Sequence, residues 1–252
     1  VDMRITRVHV DNELSVGTEI VLPEAQTHYL KHVLRLKPGA ALSLFDGKQP
    51  FDFHALLTAN GKKLGATIES VTAIETESSL SVELIQGLGR ADHMDWMIQK
   101  TTELGVSRIA LFNAERTQSP LKSAKLEKKM QHWRSVAISA CEQSGRAIVP
   151  EITFLHNLEQ TITPSNGNCK LLLDFSGDPL ASALQQRQAT APLAGTPLVI
   201  LLGPEGGLNS AEIELARKSG FTPVSLGPRV LRTETAAISA LAIAQSLLGD
   251  LS

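Results

Sequence analysis

The sequence has few aromatic residues, few cysteines and no long apolar run. Aromatic residues make up 4% of the 252 residues, which disfavours a β-sandwich with aromatic-rich strands. The two cysteines, Cys141 and Cys169, lie far apart in the chain, so they indicate neither a disulfide framework nor a cysteine-based zinc motif. No apolar run approaches a membrane span, and the N-terminus lacks the apolar core of a signal peptide. We therefore expect a soluble, cytoplasmic protein.

The chain also lacks a large net charge. Its 24 Lys and Arg and 26 Asp and Glu residues give a net charge of -2 at pH 7. Charge overall gives no reason to expect a polyanionic partner, so any nucleic-acid site must be a local basic patch. An apolar fraction of 42% disfavours disorder, and the length suffices for one large domain or two modest ones.

The first seventy or so residues contain short runs typical of strands. RITRVHV alternates apolar and polar residues, and four similar runs follow with Gly and Pro between them. One segment, PEAQTHYLKHVLRL, has apolar residues at helical spacing. Several short strands and one helix predict a small β-barrel over residues 1–74.

The pattern of predicted secondary structure changes near the polar segment between Ile74 and Ser79. Strand-like and helical segments alternate from there, including a helix predicted from about Ser123 to Ser144. KLLLDF and PLVILLG are continuous apolar runs, as expected for strands buried on both faces of a parallel sheet. Residues 75–252 are therefore predicted to form an α/β domain with helices on both sheet faces.

A Gly-rich turn, LLGPEGGLNSAEIE, follows one of these strands. Asn209 and Glu212 have the spacing of a capping box for the next helix. The turn matches neither the P-loop nor the GxGxxG pattern, and Glu205 at its centre would repel a phosphate. A ligand site at the strand end and a simple tight turn with positive φ at Gly206 or Gly207 both remain open.

A second such turn occurs in VSLGPRVLRTETAAISALAIAQSLL. A short strand ends at Gly227, and an apolar helix is predicted to begin near Thr233. Arg229 and Arg232 lie just before that helix, at the same sheet edge as GPEGG. One acidic and one basic turn at neighbouring strand ends together indicate a binding site more strongly than either turn does alone.

The two turns together resemble the RsmE family of the SPOUT methyltransferase superfamily, whose members methylate N3 of a uridine in small-subunit ribosomal RNA. The resemblance extends over nearly the whole chain. It is carried by GPEGG, LGPRVLRTETA, QKTTELGV, AERTQ and CEQSGR. It implies an α/β fold in which a parallel sheet flanked by helices is tied in a trefoil knot, preceded by a PUA-like β-barrel RNA-binding domain.

The resemblance further implies that S-adenosylmethionine binds in the knot and that the protein is a homodimer without a metal. Backbone groups and leucine side chains of three loops would hold the cofactor. The residues assigned to cofactor binding in this way are Leu173, Leu202, Gly203, Gly207, Leu226, Gly227, Leu231 and Thr233.

Methylation at N3 requires loss of the imide proton and stabilisation of charge on the flanking carbonyl oxygens. Arg232 is the candidate for that contact, the alternative being an ion pair with Glu205 or Glu234. Glu205 is the second candidate catalytic residue, as a hydrogen-bond acceptor from the cofactor or the base. Basic residues assigned to RNA binding as a set are Arg4, Arg7, Arg35, Arg90, Lys100, Arg116 and Arg146.

Cys141 and the pair His28 and His32 are further candidates for chemistry, and the function itself has alternatives. Cys141 is expected to pack in the core, since N3 methylation needs no thiol nucleophile. His28 and His32 are four residues apart, but with no third ligand nearby they do not predict a metal site. The alternatives for the function are a SPOUT enzyme acting on tRNA or a ribose 2′-OH, a non-catalytic RNA-binding protein, and a nucleotide-phosphate binder.

Overall fold

The computed structural model describes residues 5–61, 63–163, 165, 167–190 and 196–251. The chain divides into two compact units. The first comprises residues 1–77 and 141–149, and the second comprises residues 78–140 and 150–252. Among the described residues, no helix is both long and apolar enough to cross a membrane.

The first unit is built on a five-stranded sheet with the order β1-β3-β4-β5-β2. Strands β1 and β3 are parallel, and the other neighbours are antiparallel. Alternate residues of β4 point into an apolar core that includes Leu22, Leu30 and Leu44. The strands are β1 (Thr6–His9), β2 (Glu19–Val21), β3 (Ala41–Phe45), β4 (Phe51–Asn60) and β5 (Lys63–Ala73).

The helix predicted in this unit is present but changes geometry along its length. It begins as the α-helix α1 (Glu24–His28) and continues as a π-helical turn over Tyr29–Val33. The Leu34 N–H donates to the Tyr29 carbonyl at 3.0 Å, which is the wider hydrogen bond of a π-helix. The apolar spacing predicted a helix here but not the wider turn.

Residues 141–149 belong to the first unit, which sequence reasoning did not anticipate. Cys141 is fully buried against Phe45 and Ala147. Burial raises the pKa of its thiol to about 12. The expectation that Cys141 packs in the core is confirmed.

The second unit contains a six-stranded, wholly parallel sheet with the order β11-β9-β10-β6-β7-β8. Its strands are β6 (Val82–Gly87), β7 (Arg108–Phe112), β8 (Glu151–Leu155), β9 (Cys169–Pro179), β10 (Leu198–Leu202) and β11 (Thr222–Ser225). Each residue of β10 is buried, as the continuous apolar run predicted.

Contacts divide the helices of this unit into two groups. Helices α2 (Ala91–Glu103) and α5 (Leu180–Thr190) each pack against α7 (Thr233–Leu248), and α4 (Leu158–Ile162) packs against α6 (Ser210–Lys218). The remaining helix, α3, runs from Ser123 to Ser144 as predicted. Sequence reasoning missed β8, α4 and α5. The first two are only five residues long, and α5 has polar residues on several sides.

Parallel strands β11, β9 and β10 are direct neighbours, so their carboxyl ends lie at one edge of the sheet. The two Gly-rich turns follow β10 and β11. Strand β9 also supplies a segment at this edge, because its pairing with β11 is irregular. Pro223 pairs with Leu172, but the next residue, Val224, pairs with Asp178. The segment between Leu172 and Asp178 leaves the ladder at this edge.

Candidate functional site

A cavity of about 440 Å³ opens at the edge where β9, β10 and β11 end. It is lined by three segments: residues 172–175 of β9, the turn after β10, and the turn after β11 that leads into α7. The cavity-lining residues include Leu173, Leu202, Gly203, Glu205, Gly207, Leu226, Gly227, Leu231, Arg232 and Thr233. The tertiary structure thus brings together all the residues that the sequence assigned to the cofactor and to catalysis.

The first wall of the cavity is the segment of β9 that leaves the ladder. The carboxylate of Asp174 accepts hydrogen bonds from the hydroxyl and the backbone N–H of Ser176. The hydroxyl contact lowers the pKa of Asp174 below its usual value, although partial burial acts against it. Phe175 follows with 66% of its surface exposed. This wall therefore presents an ionised carboxylate beside an exposed aromatic ring.

The second wall is the GPEGG turn between β10 and α6. Asn209 and Glu212 form the predicted capping box at the start of α6. Gly207 has φ 68°, which meets the expectation of a positive φ in this turn. A side chain at Gly203 would lie 2.8 Å from the Leu208 nitrogen, so the turn itself leaves no room for one. The backbone of this turn is fixed by its own close packing.

The third wall joins β11 to α7, and Arg232 is the N-cap residue of that helix. Its guanidinium is exposed, and no ion pair to Glu205, Glu234 or another described residue is formed. The next residue, Thr233, is buried, and its hydroxyl donates to the Gly203 carbonyl at 2.8 Å. An arginine at the cavity wall without an ion pair among the described residues can contact a bound molecule.

A buried glutamine fastens the second and third walls to each other. The side-chain amide of Gln86, at the end of β6, donates to the Gly203 carbonyl at 3.0 Å and to the Thr233 hydroxyl at 2.9 Å. It also lies 2.8 Å from the carbonyl of Gly87. Gln86 is fully buried and does not line the cavity. It fixes the distance between the two turns.

The carboxylate of Glu205 turns toward the start of α2. It accepts a hydrogen bond from the Arg90 backbone N–H at 2.8 Å and lies 3.2 Å from the Nδ1 atom of His93. Partial burial raises the pKa of Glu205, but the Arg90 N–H and the His93 ring outweigh it, so the pKa lies below the usual value. Glu205 is therefore ionised at neutral pH.

Two of the basic residues assigned to RNA binding are occupied inside the first unit. The guanidinium of Arg7 pairs with Asp52 at 2.8 Å and donates to the Cys141 carbonyl at 2.7 Å. That of Arg146 is 5% exposed and pairs with Glu77 at 2.9 Å. The assignment of Arg7 and Arg146 to RNA binding is therefore corrected, because the half-buried carboxylates of Asp52 and Glu77 and nearby backbone carbonyls already use their donors.

The other predicted RNA-contact residues differ in their surroundings. Arg35 is exposed and has φ 55°, and the Arg90 side chain is 65% exposed. Lys100 pairs with Glu103 at 2.8 Å. Arg116 donates to the Gly206 carbonyl at 3.3 Å, so Arg116 also supports the GPEGG turn. Arg4 lies outside the described residues.

Sequence reasoning missed three residues of this site: Gln86, His93 and Asp174. A polar residue at the end of an otherwise apolar central strand was a signal for Gln86. Nothing in the local sequence marked His93 as part of this site, because Glu205 and Glu234 lie more than one hundred residues away along the chain. Within the described residues, no group of three or more His, Cys, Asp or Glu side chains could hold a metal ion.

Comparisons with known proteins show which families the two parts of the chain match. Residues 76–245 match the RNA methyltransferase domain family, and residues 22–51 match the RNA methyltransferase PUA domain family. Ribosomal RNA small subunit methyltransferase E of Buchnera aphidicola subsp. Schizaphis graminum is 33% identical, over 99% of each chain.

Two crystal structures share the fold over almost the whole chain. A putative methyltransferase from Legionella pneumophila with bound S-adenosylmethionine has a TM-score of 0.89 and 34% identity, covering 99% of this chain and 100% of that one. Ribosomal RNA small subunit methyltransferase E from Neisseria gonorrhoeae, bound to S-adenosylmethionine, has a TM-score of 0.87 and 33% identity, with the same coverage.

Proposed function

The chain belongs to the RNA methyltransferase family that includes ribosomal RNA small subunit methyltransferase E, and we propose that it methylates N3 of a uridine in 16S ribosomal RNA with S-adenosylmethionine. The observation that carries the proposal is the cavity at the ends of β9, β10 and β11. It combines leucine walls, close backbone turns, two ionised carboxylates and an arginine that forms no ion pair with any described residue.

The cavity fits S-adenosylmethionine in size and charge. Its volume of about 440 Å³ lies within the range of small-molecule sites. Leu202, Leu226 and Leu231 offer apolar surface for an adenine ring. The carboxylates of Asp174 and Glu205 suit a ligand that carries positive sulfonium and ammonium groups. A nucleoside triphosphate would bring negative charge to the same carboxylates, which disfavours the phosphate-binding alternative.

When bound, S-adenosylmethionine supplies an electrophilic methyl group on a sulfonium. The chain must then present uridine N3 in line with that methyl group and stabilise the negative charge on O2 and O4 as the N3 proton leaves. We assign that stabilisation to Arg232, which lines the cavity. Glu205 has a lowered pKa and is a poor proton acceptor, so we assign it the role of a hydrogen-bond acceptor that orders the site.

The proposal extends to the finer predictions from the sequence. Residues 1–74 would act as a PUA-like RNA-binding domain and residues 75–252 as a knotted methyltransferase domain. Exposed basic residues, including Arg35 and Arg90, would contact RNA phosphates. The active form would be a homodimer in the cytoplasm, where small ribosomal subunits are available as substrate.

Methyl transfer from labelled S-adenosylmethionine to unmodified small subunits or 16S rRNA tests this function. Mass spectrometry of nuclease fragments should locate the label on N3 of one uridine. A label on a ribose 2′-OH, or on tRNA offered in competition, would replace the proposal by the corresponding alternative. Cofactor binding without transfer to any RNA would favour the non-catalytic protein.

A further inference from the structure

His93 lies among three carboxylates near the cavity. It is on the first turn of α2, and its side chain is 18% exposed. Its Nδ1 atom lies 3.2 Å from Glu205 Oε1, in the turn after β10, and 3.6 Å from Glu234 Oε2, in the first turn of α7. Its Nε2 atom lies 3.8 Å from Asp92 Oδ2 on its own helix. One imidazole thus meets carboxylates from three elements.

The buried carboxylate of Glu234 requires a positive charge nearby. Its side chain is 10% exposed, and Oε2 is buried without a hydrogen-bond partner among the described residues. A buried carboxylate oxygen without a donor is unfavourable unless a positive charge lies close by. Arg90 offers its backbone N–H to Glu205, while its side chain points to Asp92 at 3.8 Å. Among the described residues, His93 is therefore the side chain with a cationic form that lies within ion-pair distance of both Glu205 and Glu234.

A doubly protonated imidazole satisfies this geometry, because both ring nitrogens then donate and neither faces a carboxylate with a lone pair. Its positive charge offsets the repulsion between Glu205, in the turn after β10, and Glu234, in the first turn of α7, which approach the same nitrogen. Glu234 follows Arg232 by two residues. The separation of these carboxylates therefore affects where the guanidinium of Arg232 lies relative to the GPEGG turn.

We propose that His93, in its charged form, is a positioning residue that holds the GPEGG turn and the start of α7 at the spacing required for methyl transfer. The proposal rests on the methyltransferase function proposed above. His93 does not line the cavity. It acts through Glu205 and Glu234, and its contribution depends on its positive charge.

Three variants of the full chain test the proposal by kcat and by calorimetric Kd for S-adenosylmethionine. His93→Gln removes the charge and should lower kcat about tenfold, the effect of one coupled interaction, with a smaller change in Kd. His93→Arg retains the charge and should stay within about threefold of the wild type. His132→Gln is the matched control, because His132 also contacts a carboxylate, Asp95 at 2.7 Å, but does not line the cavity.

The pH profile separates a charge requirement from simple packing. The ratio of kcat in His93→Arg to kcat in the wild type should rise with pH, since the arginine keeps its charge while the imidazole loses its proton. Ionisation of the uridine affects both enzymes equally and cancels in the ratio. A ratio that stays constant across the titration, or equal losses in His93→Gln and His93→Arg, would overturn the proposal.

An NMR measurement on the protein alone keeps this test independent of the RNA substrate. In NMR spectra, the amide signals of Gly206 and Gly207 should follow the protonation of His93 in the wild type but not in His93→Arg. If the wild type transfers no methyl group, the proposed function fails while these shifts still report on His93. Glycine signals that ignore His93 protonation in an active enzyme would reject the positioning role alone.

Discussion

Replacing Gln86 by leucine should weaken cofactor binding even though Gln86 does not line the cavity. Leucine has a similar volume, but it cannot donate to the Gly203 carbonyl or the Thr233 hydroxyl. These two groups belong to different walls, so the substitution removes one of the links between them. The Thr233 hydroxyl still donates to Gly203, but it is then the only one of these three hydrogen bonds left to join the turns.

The expected cost can be worked out from these contacts. A buried polar group that loses its partner costs about 1–3 kcal/mol. Gly203 and Thr233 keep one hydrogen bond to each other, so the loss falls mainly on Gly87, whose carbonyl also accepts from Gln86 at 2.8 Å. Removing the Oε1 atom of Gln86, which is buried without a partner among the described residues, offsets part of this loss. We expect a net destabilisation of about 2 kcal/mol.

Calorimetry with S-adenosylmethionine and thermal unfolding measure the two consequences. A loss of about 1.4 kcal/mol of wall-to-wall coupling corresponds to a tenfold higher Kd. The control is Gln245→Leu, which removes another buried glutamine from the same unit. Gln245 donates to the Leu104 carbonyl at 3.0 Å and accepts from Ser78 at 2.8 Å, away from the cavity. Both variants should lower Tm, but Gln86→Leu alone should raise Kd. Equal affinities in the two variants would refute the reasoning.

Further expectations concern three side chains. Arg232→Ala should abolish methyl transfer and leave the Kd for the cofactor within a few fold of the wild type. The control, Arg229→Ala, should keep most of the activity. Full turnover by Arg232→Ala would show that Arg232 has no catalytic role. Because burial raises the pKa of Cys141 to about 12, its stabilising contribution is complete below the usual 9.0 and is lost as pH rises toward 12. Native protein should therefore resist alkylation at Cys141 near pH 8, and rapid labelling there would contradict its burial. The pKa of Glu205 is lowered, so its contribution is present above 4.5 and is lost as pH falls through the folded value. Glu205→Gln should accordingly show a weaker acid dependence of unfolding, and an unchanged dependence would count against the His93 and Arg90 contacts.

The outline of the fold was predictable because local patterns decide it. PLVILLG predicted a fully buried strand, and Asn209 with Glu212 predicted the start of α6. Both are short-range effects of burial and of backbone donors at a helix start. The boundaries of β9 were less predictable. KLLLDF predicted a strand over residues 170–175, but β9 runs without a break to Pro179, and its pairing with β11 shifts after Leu172.

Most cavity-lining residues of the candidate site were predictable, with Asp174 as an exception, but Gln86 and His93 behind them were not. Turns at the ends of parallel strands meet at one sheet edge, so GPEGG and LGPRVLRTETA could be placed together from the chain alone. The surface assignments were weaker. Arg7 and Arg146 are long basic side chains of the kind usually exposed, but with Asp52 and Glu77 as ion-pair partners only 13% and 5% of their side-chain surfaces are exposed.

The sequence alone determined the type of most elements and the residues of the two turns, because each depends on neighbours within a few positions. Only the tertiary structure decided which side chains serve those turns. Gln86 bonds to Thr233, and His93 to Glu205, across more than one hundred residues. Such pairs depend on strand order and helix packing, and a side chain's local sequence carries no record of the partner that folding brings to it.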